Sequence, residues 1–230
     1  EILSGTADPV QAAIFLIALR MKRETMEENF GVLDSLLSHS VRVKADVELV
    51  VDISDPFDGF NRGLPAAPFL PCVLAACGIS SISNGAESIG PKFGITHRKV
   101  LRSAGIPVDM TPATAADQLA NPSIGWAYVD QRKTCPALHA LADLRSRIVK
   151  RPCLTTLEVL LGPVSGYKET CLVTGYVHKP YPPVYTALSR ESNYTSALIV
   201  RGVEGGVIPS LSQKSKLFCY HGSSNDEEVK

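Results

Sequence analysis

The stretch VELVVDISDPFDGFNRG, Val47–Gly63, changes character midway. Its first half is short, apolar and β-branched, as a strand requires. Its second half carries Asp52, Asp55, Asp58 and Asn61 at three-residue spacing with Gly59 and Gly63 interleaved, which suits a loop leaving the carboxyl end of that strand. A strand over 46–53, a helix over 64–77 and a strand over 79–83 then make a βαβ unit, and such a unit implies a parallel sheet with a right-handed crossover. The fold class expected is α/β: a small helical domain joined to an α/β domain with a mostly parallel sheet.

Upstream, residues 1–45 read as a helical hairpin. Asp8, Pro9 and Gln11 form an N-cap and capping box, and Val10, Ile14, Leu16, Ile17 and Met21 recur at near-helical spacing. Thr25 and Glu28 form a capping box ahead of Phe30, Leu33, Leu36 and Leu37. Downstream, Asn84–Thr96 is a second Gly-rich loop, and helices capped by Thr96 and Thr111 follow. Strand 124–129, helices 136–149 and 155–161, strand 170–177, helix 182–190 and strand 196–201 continue the alternation. The expected division places 1–45 and 94–121 in the helical domain, 46–93 and 122–209 in the α/β domain, and 210–230 in a polar, frayed tail.

With 230 residues, 45% of them apolar, the chain buries a full core, and its 23 basic and 23 acidic residues cancel. That balance argues against a whole-molecule electrostatic binder of nucleic acid or membrane. No apolar run approaches a bilayer span. The six cysteines lack C-x-x-C spacing and zinc-ligand neighbours, which suits reduced thiols inside a cell, in the cytoplasm or an organelle such as a plastid. The chain opens on Glu1 rather than Met, as a fragment or a processed chain would.

The two loops, 54–63 and 84–95, leave the carboxyl ends of adjacent parallel strands, the edge where open α/β sheets bind ligands. Asp58 and Asn61 have two readings: caps of the next helix, or groups facing a phosphate at its amino terminus. In the second loop Gly85, Gly90 and Gly94 permit close backbone approach, and Lys92 supplies a point charge for phosphate. Farther along, Arg98, Lys99, Arg102, Arg147, Lys150 and Arg151 are either solvated helix faces or the rim of an anion site.

In order along the chain, LSGTADPVQAAIFLIALRMKRETMEE, AACGISSISNGAESIGPKFGIT, CPALHALADLRSRIVKRPCLTTLEVLLGP and ALIVRGVEGG resemble segments of glycosyltransferase family 3, the anthranilate phosphoribosyltransferase group. The resemblance implies transfer of a phosphoribosyl group from phosphoribosyl pyrophosphate to a small aromatic acceptor, a step of tryptophan biosynthesis, with Mg2+ in the cleft and a homodimer joined through the helical domain. By the same likeness Asp58, Asn61, Ser83, Gly85 and Lys92 stand where the family holds the donor, and Arg145 where it meets the acceptor's acid group. No residue is implied as a covalent catalyst.

The chain departs from the family's pattern at the phosphate loops. The family's G-T-G-G-D becomes SDPFD, N-x-S-T becomes NRGL, K-H-G-N-R becomes SNGAE, and Val207 and Ile208 lie near the place of its metal-binding acidic pair. These changes shift the local charge negative and oppose the family's usual pyrophosphate contact. Relatives with rewritten loops and a segment like TTLEVLLGP imply an alternative, a non-catalytic nucleic-acid-binding protein using the basic set above.

Overall fold

A computed structural model describes residues 1–224 and 226–229. The chain opens with two helices, α1 (Pro9–Lys22) and α2 (Met26–Ser38). Asp8 accepts the amides of Val10 and Gln11, and the Thr25–Glu28 capping box closes in both directions. β1 (Val43–Lys44), β2 (Leu49–Ser54), α3 (Leu70–Ala76) and β3 (Ser81–Gly85) follow. α3 is shorter than the expected 64–77: Pro65, Pro68 and Pro71 lack amide protons, so the regular helix starts only at Leu70.

Next come α4 (His97–Ser103), α5 (Pro112–Ala120), β4 (Trp126–Asp130), and the short helices α6 (Gln131–Thr134), α7 (Pro136–His139), α8 (Ala142–Ile148) and α9 (Leu154–Leu157). β5 (Val164–Ser165), β6 (Glu169–Gly175), α10 (Tyr181–Glu191), β7 (Ser196–Val200), β8 (Leu217–His221) and β9 (Glu227–Val229) complete it. The main sheet has seven strands in the order β4-β3-β2-β6-β7-β8-β9, with β1 and β5 forming a separate parallel pair. From β4 to β7 all pairings are parallel, so the α/β class with a mostly parallel sheet holds.

The segment after 210 is not frayed throughout. LFCYH pairs antiparallel with β7, Ser196 opposite His221 and Val200 opposite Leu217, and β9 pairs antiparallel with β8. Tyr220 is buried there and its hydroxyl lies 2.9 Å from that of Ser189.

Helix packing differs from the expected grouping. α5 sets Ala115, Ala116 and Leu119 against Val50, Ile82 and Ala127 of the sheet, and α4 sets Leu101 against Tyr128 of β4, so the 97–120 pair packs on the sheet. Leu16, Leu19, Leu33 and Leu36 of α1 and α2 pack instead with Cys135, Leu138, Leu154 and Leu157. The same cluster continues through Leu188 of α10 to Leu172, Ile199 and Tyr220 of the sheet. One core therefore runs from the first helices to the strands.

The strand order reverses direction around β2: β3 and β4 extend to one side, β6 and β7 to the other. A crevice opens at such a switch point because adjoining loops diverge over opposite faces. None of the six cysteines is bridged, and among the described residues no helix is long and apolar enough to cross a membrane.

Candidate functional site

The two loops are tied to each other before any ligand is considered. Phe60 and Ile95 exchange backbone hydrogen bonds of 3.0 and 2.8 Å, and the Gly94 amide donates to the Asp58 carbonyl. Glycine is required at this crossing. Gly59 has φ +78°, and a Cβ there would sit 2.7 Å from the Gly94 carbonyl carbon; one on Gly94 would sit 2.6 Å from the Phe60 nitrogen. Gly94 thus permits loop to approach loop.

The crossing brings Asp58 and Lys92 together. Lys92 Nζ donates to the Gly59 carbonyl at 2.9 Å and lies 3.6 Å from Asp58. Arg151, between α8 and α9, donates to Asp58 Oδ2 through Nε at 2.9 Å and a terminal nitrogen at 2.6 Å. Asp58 therefore does not cap the following helix; it holds two cations at the mouth of a cleft.

The cleft, about 130 Å³, lies beneath α1 and α10 at the switch point. Its polar wall includes Asp58, Lys92, Arg151, Arg20 and Glu204; its apolar wall includes Val159, Tyr176 and Tyr185. Arg20 reaches in from α1, donating to the Tyr181 hydroxyl at 3.2 Å and lying 3.6 Å from Glu24. Burial pushes the Tyr185 hydroxyl well above its ordinary range, so the ring is a neutral wall.

Glu204 is the residue the sequence reading missed. It sits just beyond β7 with φ +52°, and its carboxylate accepts the amides of Asn61 and Arg62 at 2.7 to 3.2 Å and lies 3.5 Å from Lys92. Those amides and that ammonium are what a phosphate oxygen would want. They hold the Glu204 carboxyl below its usual range, against the opposing effect of burial. The available signal was position alone: Glu204 follows a parallel strand at the ligand edge.

The other expected residues fall elsewhere. Asn61 contributes its backbone, and its side chain faces Gly94 rather than the cleft. Ser83 is fully buried within β3, and Gly85 backs onto Tyr128; neither lines the cleft. Arg145, expected at the acceptor's acid group, is placed away from the cleft. It is 1% exposed, absent from the cleft wall, and bound bidentately to Glu158 at 2.6 and 2.8 Å.

Asp55 also changes meaning. It is buried, taking the Val207 amide at 2.8 Å and facing His97 Nε2 at 2.8 Å, so it pins loop to loop and presents no charge to the cleft.

Magnesium finds no donor set here. Among the described residues no three His, Cys, Asp or Glu side chains converge. Asp58 is engaged by Arg151, and Val207 and Ile208 bring no carboxylate. Most of the basic set proposed for nucleic acid is likewise engaged. Arg98 is buried against Glu87, Asp109 and Asp130, Arg102 pairs with Glu87, and Lys99 donates to the Gly94 carbonyl.

The fold is thus a helical layer on a mostly parallel sheet, with a charged cleft at the switch point. Residues 1–40 match the family model described as the glycosyl transferase family, helical bundle domain. Along its whole length the chain is 24% identical to the anthranilate phosphoribosyltransferase of Geotalea daltonii, of which it covers 67%. The crystal structure of anthranilate phosphoribosyltransferase from Thermus thermophilus shares its fold, with a TM-score of 0.78 at 18% identity, covering 99% of this chain and 66% of that one. The Saccharomyces cerevisiae enzyme in complex with PRPP and Mg gives 0.71 at 17% identity over 96% and 60%. In sequence and fold, then, the chain is similar to glycosyltransferase family 3 proteins of the anthranilate phosphoribosyltransferase group. It spans between 54% and 67% of the length of the first curated relatives it matches.

Proposed function

We propose that the chain is a divergent phosphoribosyltransferase whose cleft holds the sugar phosphate of a phosphoribosyl donor. The observation that carries this reading is the meeting of Asp58 and Lys92, from the loops after β2 and β3, at the mouth of a cleft beneath the helical layer. In this reading Lys92 and Arg151 bind the donor's phosphates and oppose the charge that develops as the C1′–oxygen bond breaks and the acceptor's nitrogen bonds to C1′. Arg20 takes the part expected of Arg145, facing an aromatic acceptor's carboxylate against Tyr181 and Tyr185.

At about 130 Å³ the cleft is below the roughly 300–1,000 Å³ typical of ligand pockets, so in this reading donor entry widens it. No step is assigned to magnesium, since the side chains present do not form its site. Self-association would use the face of α1, where Val10, Ile14 and Met21 are exposed.

Calorimetry with phosphoribosyl pyrophosphate tests the assignment. The native chain should bind, and Lys92→Met should weaken binding by about tenfold or more, the usual scale of a charge-assisted contact. Absence of heat with the native chain, or equal affinity in the variant, would remove the reading.

A further inference from the structure

Past Glu204, on the outer side of the cleft, lies a groove of about 410 Å³, within the usual range for a small-molecule site. Three of its cations come from separate segments: Arg62 from the loop after β2, Arg201 from the end of β7, and Lys214 from the return towards β8. All three are exposed, and among the described residues their side chains have no hydrogen-bond or ion-pair partner. Elsewhere on the surface Arg102, Arg132, Lys168 and Arg190 are each paired with a carboxylate. Among the described residues other exposed cations, Lys44, Lys150 and Lys179, are unpaired too; what sets Arg62, Arg201 and Lys214 apart is that they line one depression.

The groove's framework is set by the backbone. The Arg201 amide donates to the Lys216 carbonyl at 2.9 Å, Ser215 Oγ donates to the Arg201 carbonyl at 2.7 Å, and Gly202 bridges to Pro209. A Cβ on Gly202 would lie 1.8 Å from the Gly206 carbonyl oxygen, so the close approach of backbone to backbone in this turn requires glycine. Arg201 and Lys214 are thereby held at the same depression as Arg62.

Lys92 and Arg151 reach the groove from the cleft side, and His178 from the loop after β6; Glu204 is the one carboxylate in the lining. That carboxylate is already engaged by two amides and Lys92. In a chain with no net charge, such a concentration selects an anion. No Phe, Tyr or Trp lines the groove, so a nucleobase has nothing to stack on. Cations spread over three loops suit linked phosphates better than a single one.

We propose that this groove binds a small ligand carrying two or more linked phosphates, held by Arg62, Arg201 and Lys214. The proposal does not rest on the donor reading of the cleft, because none of these three side chains lines the cleft.

Inorganic tripolyphosphate is the probe, titrated calorimetrically at moderate salt into the native chain, the double variant Arg201→Ala/Lys214→Ala, and Arg20→Ala, which alters the cleft alone. The native chain should bind, the double variant should lose about tenfold or more in affinity, as for lost charge-assisted contacts, and Arg20→Ala should bind as the native chain does. Three results would overturn the proposal: no binding at millimolar probe, affinity unchanged in the double variant, or loss in Arg20→Ala instead. Tighter binding of a thymidine oligonucleotide, abolished by the same double substitution, would also overturn it in favour of a nucleic-acid backbone site. Because Arg201 and Lys214 have no partners to strand, their removal leaves the fold intact, and circular dichroism checks this directly. Tripolyphosphate and phosphoribosyl pyrophosphate binding both lost in Arg201→Ala/Lys214→Ala would leave the groove standing while the cleft assignment falls.

Discussion

Arg145 and Glu158 are both buried and bind each other through two hydrogen bonds, with Gln131 Nε2 also donating to Glu158 at 2.9 Å. Removing one member of such a pair strands the other charge away from water. Arg145→Met should therefore cost about 3–5 kcal/mol in urea unfolding, whereas the pair replacement Arg145→Met/Glu158→Leu should recover most of it. A loss below about 1 kcal/mol for the single variant would show that the carboxylate finds water. Asp52 is a buried acid of another kind. Desolvation pushes its carboxyl up to about 7, against hydrogen bonds donated by Tyr194 at 2.6 Å and Asn84 at 2.7 Å. An acid raised in the folded state favours folding while protonated, so its contribution is greatest below the unfolded value of about 4 and is lost as pH rises towards 7. Across that window the native chain should lose up to about 1.4 kcal/mol per pH unit relative to Asp52→Asn, which keeps one acceptor oxygen but cannot ionise. Parallel stability curves for the two proteins between pH 4 and 7 would refute this.

Elements report how far local signals reach. Helix starts are legible because a cap and its partner lie three residues apart, as Thr25 and Glu28 do. The βαβ unit and the shared rim of Asp58 and Lys92 are legible because parallel strands send their exits to one edge. What escapes depends on distance in sequence. Nothing near Arg145 announces Glu158, nothing near Arg98 announces Asp130, and LFCYH is too short to be recognised as a strand without β7 beside it. In sequence the glycines of the two loops suggest room for a ligand, whereas Gly59 and Gly94 make room for each other. Gly59→Ala meets both a left-handed backbone and a blocked crossing, so a destabilisation of at least about 1–3 kcal/mol is expected. It should be accompanied by faster amide exchange at Phe60 and Ile95, the two residues of the bridge. Gly31 inside α2 is the control: nothing lies within 4 Å of the position a methyl group would take there, and Gly31→Ala should stabilise by about 0.5–1 kcal/mol. Slow exchange retained at Phe60 and Ile95 in Gly59→Ala would mean that the loops part nowhere.

At the scale of the whole molecule, the question is whether the first helices unfold with the sheet or apart from it. A hinged helical domain would bury its own apolar face and present a thin contact to the strands. Here Leu16, Leu19, Leu33 and Leu36 share one continuous cluster with Leu188, Leu172 and Ile199. The cleft lies between Arg20 of α1 and the loops of the sheet, so its shape depends on that cluster remaining closed. The single tryptophan, Trp126, is on β4, the edge strand farthest from β9, and reports the sheet without reporting α1. Leu16→Ala removes a side chain that is 2% exposed and should cost about 2–5 kcal/mol through lost burial and an unfilled cavity. If the core is one cooperative unit, tryptophan fluorescence and far-ultraviolet circular dichroism should shift together to the same lower urea midpoint in that variant. A circular dichroism transition that moves while the fluorescence transition stays would divide the molecule at the cleft, and the two walls of the site would then be free to separate.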